Sequence, residues 1–532
     1  MKDYKDFIAS GQAILGIELG STRIKAVLID QAHQVLASGA FDWENQQVDG
    51  IWTYPLQKAW EGLSGAYLDL KRQVQAAYGV KLTQLRALGV SAMMHGYLAF
   101  DDKDQLLTPF RTWRNTMTLT AAEKLTQAFS FSIPQRWSVA HLYQAALNGE
   151  SHLKDIRFLT TLAGYIHWQL TGEKALGIGD ASGMFPIDSQ ALDYDKDKLA
   201  AFSRLMAAHQ VPWQLHDLLP RVLVAGQDAG RLSPQGAKRL DPEGDLQPGI
   251  PLCPPEGDAG TGMTATGAVA AGTGNVSAGT SIFAMVVLDH SLSRVYPEID
   301  MVTTPAGNPV AMVHCNNCTT DLNAWVDLFS QFVGEAGLAL SRGDIFEAFF
   351  AAALKGQPEA GGLSAVGYHS GEHITGFEEG QPLLLYPADD RFTFQNFARA
   401  ILLSTVATLN IGMEILNKEQ VALTRVLGHG GLYKTGEAGQ RFTAAALGAP
   451  VSVLATAGEG GAWGIALLAA YLSHRNPDES LGDYLDQRVF KALPSKTLSP
   501  DPDDLQGLKD YVAAFKKALA VEQAAVKHYK ET

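Results

Sequence analysis

Between Gly257 and Ser281 the chain reads GDAGTGMTATGAVAAGTGNVSAGTS: one carboxylate, Asp258, among small residues, with no lysine or arginine. GIELGST, Gly16–Thr22, supplies a second small-residue turn behind an apolar run. A turn of Gly, Ser and Thr exposes backbone N–H groups and hydroxyls with no bulky Cβ in the way, which is the geometry of an anion-binding nest. Two such turns, with a single acid near the second, outline a phosphotransferase. Each turn alone is weak evidence, since Gly-Ser-Thr is also a common plain hairpin connection. Asp258 alone reads equally as the cap of a helix over Thr261–Ala270. GHGG, Gly428–Gly431, is a third turn, against which a base or ribose can lie because nothing projects from it. None of the three is a P-loop, and no strand-borne GxGxxG followed by an acid occurs.

The elements that must carry these turns are short and alternating. Ala13–Ile17 and Ile24–Ile29 are apolar runs around Gly-Ser-Thr, which predicts a hairpin, with Gln34–Phe41 as a third strand. Trp52–Tyr78 has helical period, and Leu85–Met93 reads as a buried strand ending at His95. FRTWRNT, Phe110–Thr116, reads as a loop, and Ile156–Thr171 and Leu199–His209 as helices. The second half restarts the pattern. Val276–Leu288 predicts two strands around Gly279-Thr280-Ser281, and Pro309–His314 a third. Asn323–Phe332, Phe394–Leu416, Gly439–Leu447 and Gly460–Ser473 read as helices, and Arg425–Leu427 as the strand leading into GHGG. Phe394–Leu416 is apolar nearly all round, as expected of a helix buried between layers. Leu493–Asp504 is a proline-rich connection to a final helix. Strands with interleaved helices in both halves point to α/β domains.

At 532 residues the chain calls for more than one domain. With 46% hydrophobic and 18% charged residues it is globular. A net charge of −14 argues against a nucleic-acid partner, which would need clustered Lys and Arg. The three cysteines, Cys253, Cys315 and Cys318, are sparse and odd in number, as in a reducing compartment. The N-terminus has acids where a secretory signal needs an apolar stretch, and the best membrane candidate, Ala268–Leu288, is broken by glycines. The expectation is a cytoplasmic protein without membrane or nucleic-acid contact, and a homodimer is left open.

The order GIELGST, SAMMHG, FRTWRNT, LTGE…DASG, GDAGTG, GTS, YHSGE, GHGG resembles the FGGY family of carbohydrate kinases over Ile14–Leu472. The resemblance implies an α/β fold of two actin-like (ribonuclease H-like) domains with a ligand cleft between them. It divides the chain into a sugar-binding domain at 10–268, a nucleotide-binding domain at 269–490 and a C-terminal connection and helix at 491–532. It implies ATP and Mg²⁺, with phosphoryl transfer to a sugar hydroxyl, a ketopentose such as ribulose or xylulose being the preferred acceptor. Another ketose or polyol, or an actin-fold ATPase or sugar sensor without transfer, is the alternative.

Residue by residue, the resemblance makes Asp258 the general base, and Glu18 and Asp258 the carboxylates toward Mg²⁺. Gly20, Ser21, Thr22 and Lys25 face the phosphates, opposed by Gly279, Thr280 and Ser281, with Gly430 and Gly431 beside adenosine. Met94, His95, Trp113 and Asn115 fall to the sugar. Four positions depart from the family pattern: Glu18 and Asn115 replace Asp, Met117 replaces Arg, and Ala259 stands where an amide side chain is usual.

Overall fold

The computed structural model describes residues 4–454 and 460–529. They form two compact units, the first drawn from 1–270, 301–310 and 458–492, the second from 271–300, 311–457 and 493–532.

The first unit is built on strands β1 (Ile14–Leu19), β2 (Arg23–Ile29), β3 (Val35–Asp42), β4 (Ala87–Ala92) and β5 (Glu256–Gly257), in the order β5-β4-β1-β2-β3. β1 pairs antiparallel with β2 and parallel with β4, so Glu18 lies between Lys25 and Ser91. β5 pairs parallel with β4, which places the chain entering Asp258 beside the exit of Ala92. The parallel pair β1 and β4 at its centre is buried on both faces, whereas the edge strand β3 alternates buried and exposed residues. Helix Leu56–Tyr78 covers β3: a side chain at Gly39 would meet Ala66 O at 2.3 Å. Helix Gly460–His474 lies so close to β1 that a Cβ on Gly16 would meet Ala462 O at 2.2 Å. Its packing on β1 and β4 groups that helix with the first unit.

The seven-stranded sheet, of the second unit apart from residues 301–303 and 309–310, carries β6 (Thr273–Ala278), β7 (Ile282–Val287), β8 (Ile299–Thr303), β9 (Pro309–Cys315), β10 (Arg425–His429), β11 (Val451–Leu454) and β12 (Ser495–Leu498). Their order is β8-β9-β7-β6-β10-β11-β12. β6 repeats the arrangement of β1, antiparallel to the next strand in sequence and parallel to a later one. Helix Phe394–Lys418 is long and apolar enough to cross a membrane, but 67% of its most apolar window is buried within the protein, as expected of a core helix. Arg399 on it forms a buried 2.6 Å ion pair with Asp504 of the final helix, Pro502–Tyr529.

Several elements differ from the expected pattern. Ile156–Thr171 is not one helix: Phe158–Thr160 pairs with Leu98–Phe100, and the Thr161 side chain then accepts the Gly164 N–H to cap a helix over Leu162–Thr171. The helix expected at Thr261–Ala270 runs from Asp258 to Ala265, with Gly257 in the cap position. Asp258 is therefore its first residue and not its cap. Helix Gly460–His474 packs closely against it: a Cβ on Gly464 would meet Thr261 O at 2.1 Å. Leu493–Asp504 is not all connection, since Ser495–Leu498 pairs with β11. Helix Arg342–Ala353, closed by a Ser341/Asp344 capping box, went unread.

Candidate active site

Asp258 is exposed at the start of its helix. Its Oδ1 accepts the Met94 N–H at 3.0 Å and the Ala259 N–H at 3.0 Å. Surrounding protein desolvates the carboxyl and raises its pKa, opposed by those two amides and by the Arg136 guanidinium. The result is a carboxylate fixed by one oxygen and shifted toward the range in which a general base works.

Glu18 faces the same locale. Burial first, then the charge of Asp258, push it up to about 7, against the pull of Lys25 and of the Ala462 N–H. Its carboxylate occupies the space of a side chain at 461: a Cβ on Gly461 would meet Glu18 Oε1 at 2.1 Å and Thr261 Oγ1 at 2.8 Å. Thr261 in turn lies 3.2 Å from Ser91 Oγ. In the adjoining turn, Gly20 N–H donates to Arg23 O at 3.0 Å. Trp43 Nε1 and Tyr54 OH donate to Gly20 O and Ser21 O at 2.7 and 2.6 Å. The carbonyls of Gly20 and Ser21 are thus held inward, and Thr22 is exposed.

Met94 and His95 are both buried. Met94 reaches Asp258 through its main chain, while its side chain packs against Gly257 and Gly183. His95 adopts φ 69°, a left-handed conformation uncommon outside glycine, and such strain clusters at functional positions. Its ring stacks on Trp137 with centroids 6.3 Å apart, and Nδ1 lies 3.3 Å from Gly183 O. Trp113 is 40% exposed.

Asn115 is buried. Its amide turns inward, Oδ1 accepting the Trp52 N–H at 2.9 Å and Nδ2 donating to Trp52 O at 2.8 Å and Thr112 O at 3.0 Å. It ties the loop to strand Ile51–Thr53 because a short amide satisfies both backbone groups at once, and this commits the side chain that the resemblance assigned to the sugar.

The DASG stretch joins these parts. Asp180 is fully buried, with Oδ2 accepting the Thr161 hydroxyl at 2.6 Å and Oδ1 without a partner. Burial pushes it up to about 7. Glu256 is buried beside it and pushed up to about 8 by burial and by Asp180. Three residues after Asp180, Gly183 has no room for a side chain: a Cβ would meet His95 Nδ1 at 2.6 Å and Met94 Cε at 2.7 Å. Arg136, Asp180, Glu256 and Gly461 were missed from sequence, where nothing marks them but the DASG motif around Asp180.

In the second unit the structure brings the two other turns together. Gly430, φ 111°, comes so close to Ala278 that a Cβ would meet its carbonyl at 2.2 Å, and only glycine fits there. Gly279 O accepts the Thr319 N–H and hydroxyl, and Thr280 O accepts the Cys318 N–H, seating the turn on helix Thr319–Glu335. Gly279 and Gly431 both border open space.

An amide-held carboxylate in one α/β unit and paired small-residue turns in the other define an actin-like phosphotransferase. The chain belongs to the FGGY family of carbohydrate kinases: residues 13–262 match its N-terminal domain and residues 274–473 its C-terminal domain. It is 20% identical over 424 residues to the xylulose kinase of Haemophilus influenzae, covering 77% of this chain and 81% of that one. To the xylulose kinase of Klebsiella pneumoniae it is 23% identical over 289 residues, 53% of this chain and 55% of the other. The solved xylulose kinase from Rhodospirillum rubrum has the same fold, with TM-score 0.77 at 18% identity over 96% of this chain and 99% of that one. A gluconate kinase from Lactobacillus acidophilus gives 0.77 at 16% identity over 98% and 99%, and a Plasmodium falciparum glycerol kinase with ADP 0.74 at 13% over 96% and 98%. The fold is common to kinases named for different acceptors.

Proposed function

We propose that this enzyme transfers the γ-phosphoryl group of ATP to a hydroxyl of a ketopentose, xylulose before ribulose. The observation that carries the reading is Asp258: one oxygen is held by two amides, the group is exposed, and its basicity is raised. Its carboxylate accepts the hydroxyl proton as the sugar oxygen bonds to the γ-phosphorus. The bond from that phosphorus to the β–γ bridging oxygen breaks, and ADP leaves. Such transfer asks mainly for positioning and charge stabilisation. Xylulose is favoured because curated relatives of both organisms carry that name. The Met94–His95 pair beside Asp258 supports a ketose, since imidazole can donate to or accept from a hydroxyl.

Gly279–Ser281 with Gly430 and Gly431 take the nucleotide, and Gly20–Thr22 with Lys25 the terminal phosphates. Glu18 and Asp258 fit Mg²⁺ as two mutually repelling hard-oxygen donors. Among the described residues no group of three or more His, Cys, Asp or Glu could hold a metal, so phosphate and water oxygens would complete the shell. Bound there, the ion would neutralise phosphate charge. The three cysteines are unpaired and buried, which supports a cytoplasmic enzyme.

The test is a screen of ketopentoses, ketohexoses and polyols for ADP release, repeated with Asp258→Ala. The reading expects the largest turnover with a ketopentose and none in the variant while ATP still binds. ADP release independent of every sugar would overturn it.

A further inference from the structure

Glu256 precedes Asp258 by two residues and is 1% exposed. Its carboxylate lies flat against two glycines of the neighbouring segment. A Cβ on Gly177 would meet Oε1 at 2.3 Å, and one on Gly179 would meet Oε2 at 2.4 Å. The same oxygens accept the Gly179 N–H at 3.2 Å and the Asp180 N–H at 2.9 Å. Beyond these, Gly177 N–H donates to Pro255 O at 2.8 Å, and Asp180 Oδ1 lies 3.0 Å from where a Cβ on Gly257 would stand. The G-x-G spacing at 177 and 179 thus makes a seat that Glu256 fills. Burying a carboxyl without such partners is costly, so the seat and the acid belong together.

The other end of the seated segment is fixed as well. Ser182 hydroxyl donates to Gly179 O at 2.6 Å and accepts the Thr303 N–H at 3.0 Å, and Thr303 hydroxyl donates to Ile178 O at 3.0 Å. Glu256 therefore ties β5, from which Asp258 emerges, to a braced element.

We propose that Glu256 is a positioning residue for Asp258, its carboxylate keyed into the Gly177/Gly179 seat so that the helix beginning at Asp258 starts at one fixed place. This rests on Asp258 being the general base. Misplacement of about 1 Å at a reacting group can cost about a hundredfold in rate, and the seat guards against it from the strand side while the Met94 amide holds the carboxylate itself.

The experiment uses Gly179→Ala, which pushes on the carboxylate without touching Asp258, together with Glu256→Gln, Glu256→Ala and the double variant Gly179→Ala/Glu256→Ala. Each is measured for kcat, for KM of ATP and sugar, and for melting temperature. Gly179→Ala and Glu256→Ala are each expected to lower kcat at least about tenfold with KM for ATP little changed. Glu256→Gln, which keeps the shape and one acceptor, is expected to lose less. The double variant should be no worse than Glu256→Ala, because the added methyl enters the space the carboxylate vacates. Folded Gly179→Ala and Glu256→Gln proteins with wild-type kcat would overturn the proposal, as would multiplicative losses in the double variant. Asp258→Asn separates the two layers. Full turnover in Asp258→Asn would overturn the base itself. Its inactivity beside fully active Gly179→Ala and Glu256→Gln would overturn the positioning role alone.

Discussion

The backbone N–H of Met94 lies 3.0 Å from Oδ1 of Asp258, so the residue following Met93 beyond β4 fixes the acid through its main chain and not its thioether. Met94→Leu conserves volume and leaves that donor in place. It is expected to keep kcat within about threefold. A much larger loss in steady-state assays would show that the thioether matters to the chemistry.

His95 tests differently, because its φ of 69° penalises most replacements. Asn tolerates the left-handed region, so His95→Asn removes the imidazole without adding backbone strain. KM for the ketose should rise about tenfold, the worth of roughly one lost hydrogen bond, with KM for ATP unchanged. Equal rises in both would mark the ring as structural.

Gly461 is where Glu18 is tested without altering its charge. A methyl at 461 would stand 2.1 Å from Glu18 Oε1 and 2.8 Å from Thr261 Oγ1. Gly461→Ala should destabilise by about 1–3 kcal/mol through overpacking, read as a lower melting temperature. An unchanged melting temperature would mean the carboxylate has somewhere else to go.

Asn115→Ala should cost about 1–3 kcal/mol, since the Trp52 N–H would lose its acceptor, while Trp52 O keeps the Thr112 N–H and hydroxyl. Asn115→Asp, the residue usual in the family, would set a carboxylate against the Trp52 and Thr112 carbonyls and should also destabilise. A gain in stability with Asp would show that the loop can reverse its pairing.

Stability should fall above neutral pH. Burial raises Glu18, Asp180 and Glu372 to about 7 and Glu256 to about 8. Unfolded carboxyls titrate near about 4, so these groups favour the folded state at low pH, and that contribution is lost as pH climbs through their folded values. Burial depresses His33, His141 and His167 to about 4, 3 and 4, so their contribution is lost in the other direction, as pH falls. The two sets oppose one another up to about pH 6.5, the unfolded histidine value, and above it only the carboxyls still act. Melting temperature is expected to drop between about pH 6.5 and 8, less so in Asp180→Asn. A flat profile would contradict the raised values.

Much of this was legible in the chain. Two apolar runs around Gly20-Ser21-Thr22 became β1 and β2, and the restart at Val276 became β6 and β7, because period and turn chemistry are local. Asp258 stood out as a lone acid among small residues. What stayed hidden is tertiary. Nothing near Glu256 in sequence announces that Gly177 and Gly179 will receive it, or that Gly461 will face Glu18. The inward turn of Asn115 depends on a strand at Ile51–Thr53, and the same asparagine at the same spacing could have faced a ligand. The small residues after Asp258 have a packing reason as well as a chemical one, since Thr261 and Gly464 let two helices touch.

The most direct measurement is product analysis of wild-type protein and Asp258→Asn incubated with xylulose, ATP and Mg²⁺. One xylulose phosphate per ADP is expected for the wild type, and a rate lower by about 10²–10⁴ for the variant. ADP without sugar phosphate in the wild type, or undiminished sugar phosphate in the variant, would contradict that expectation.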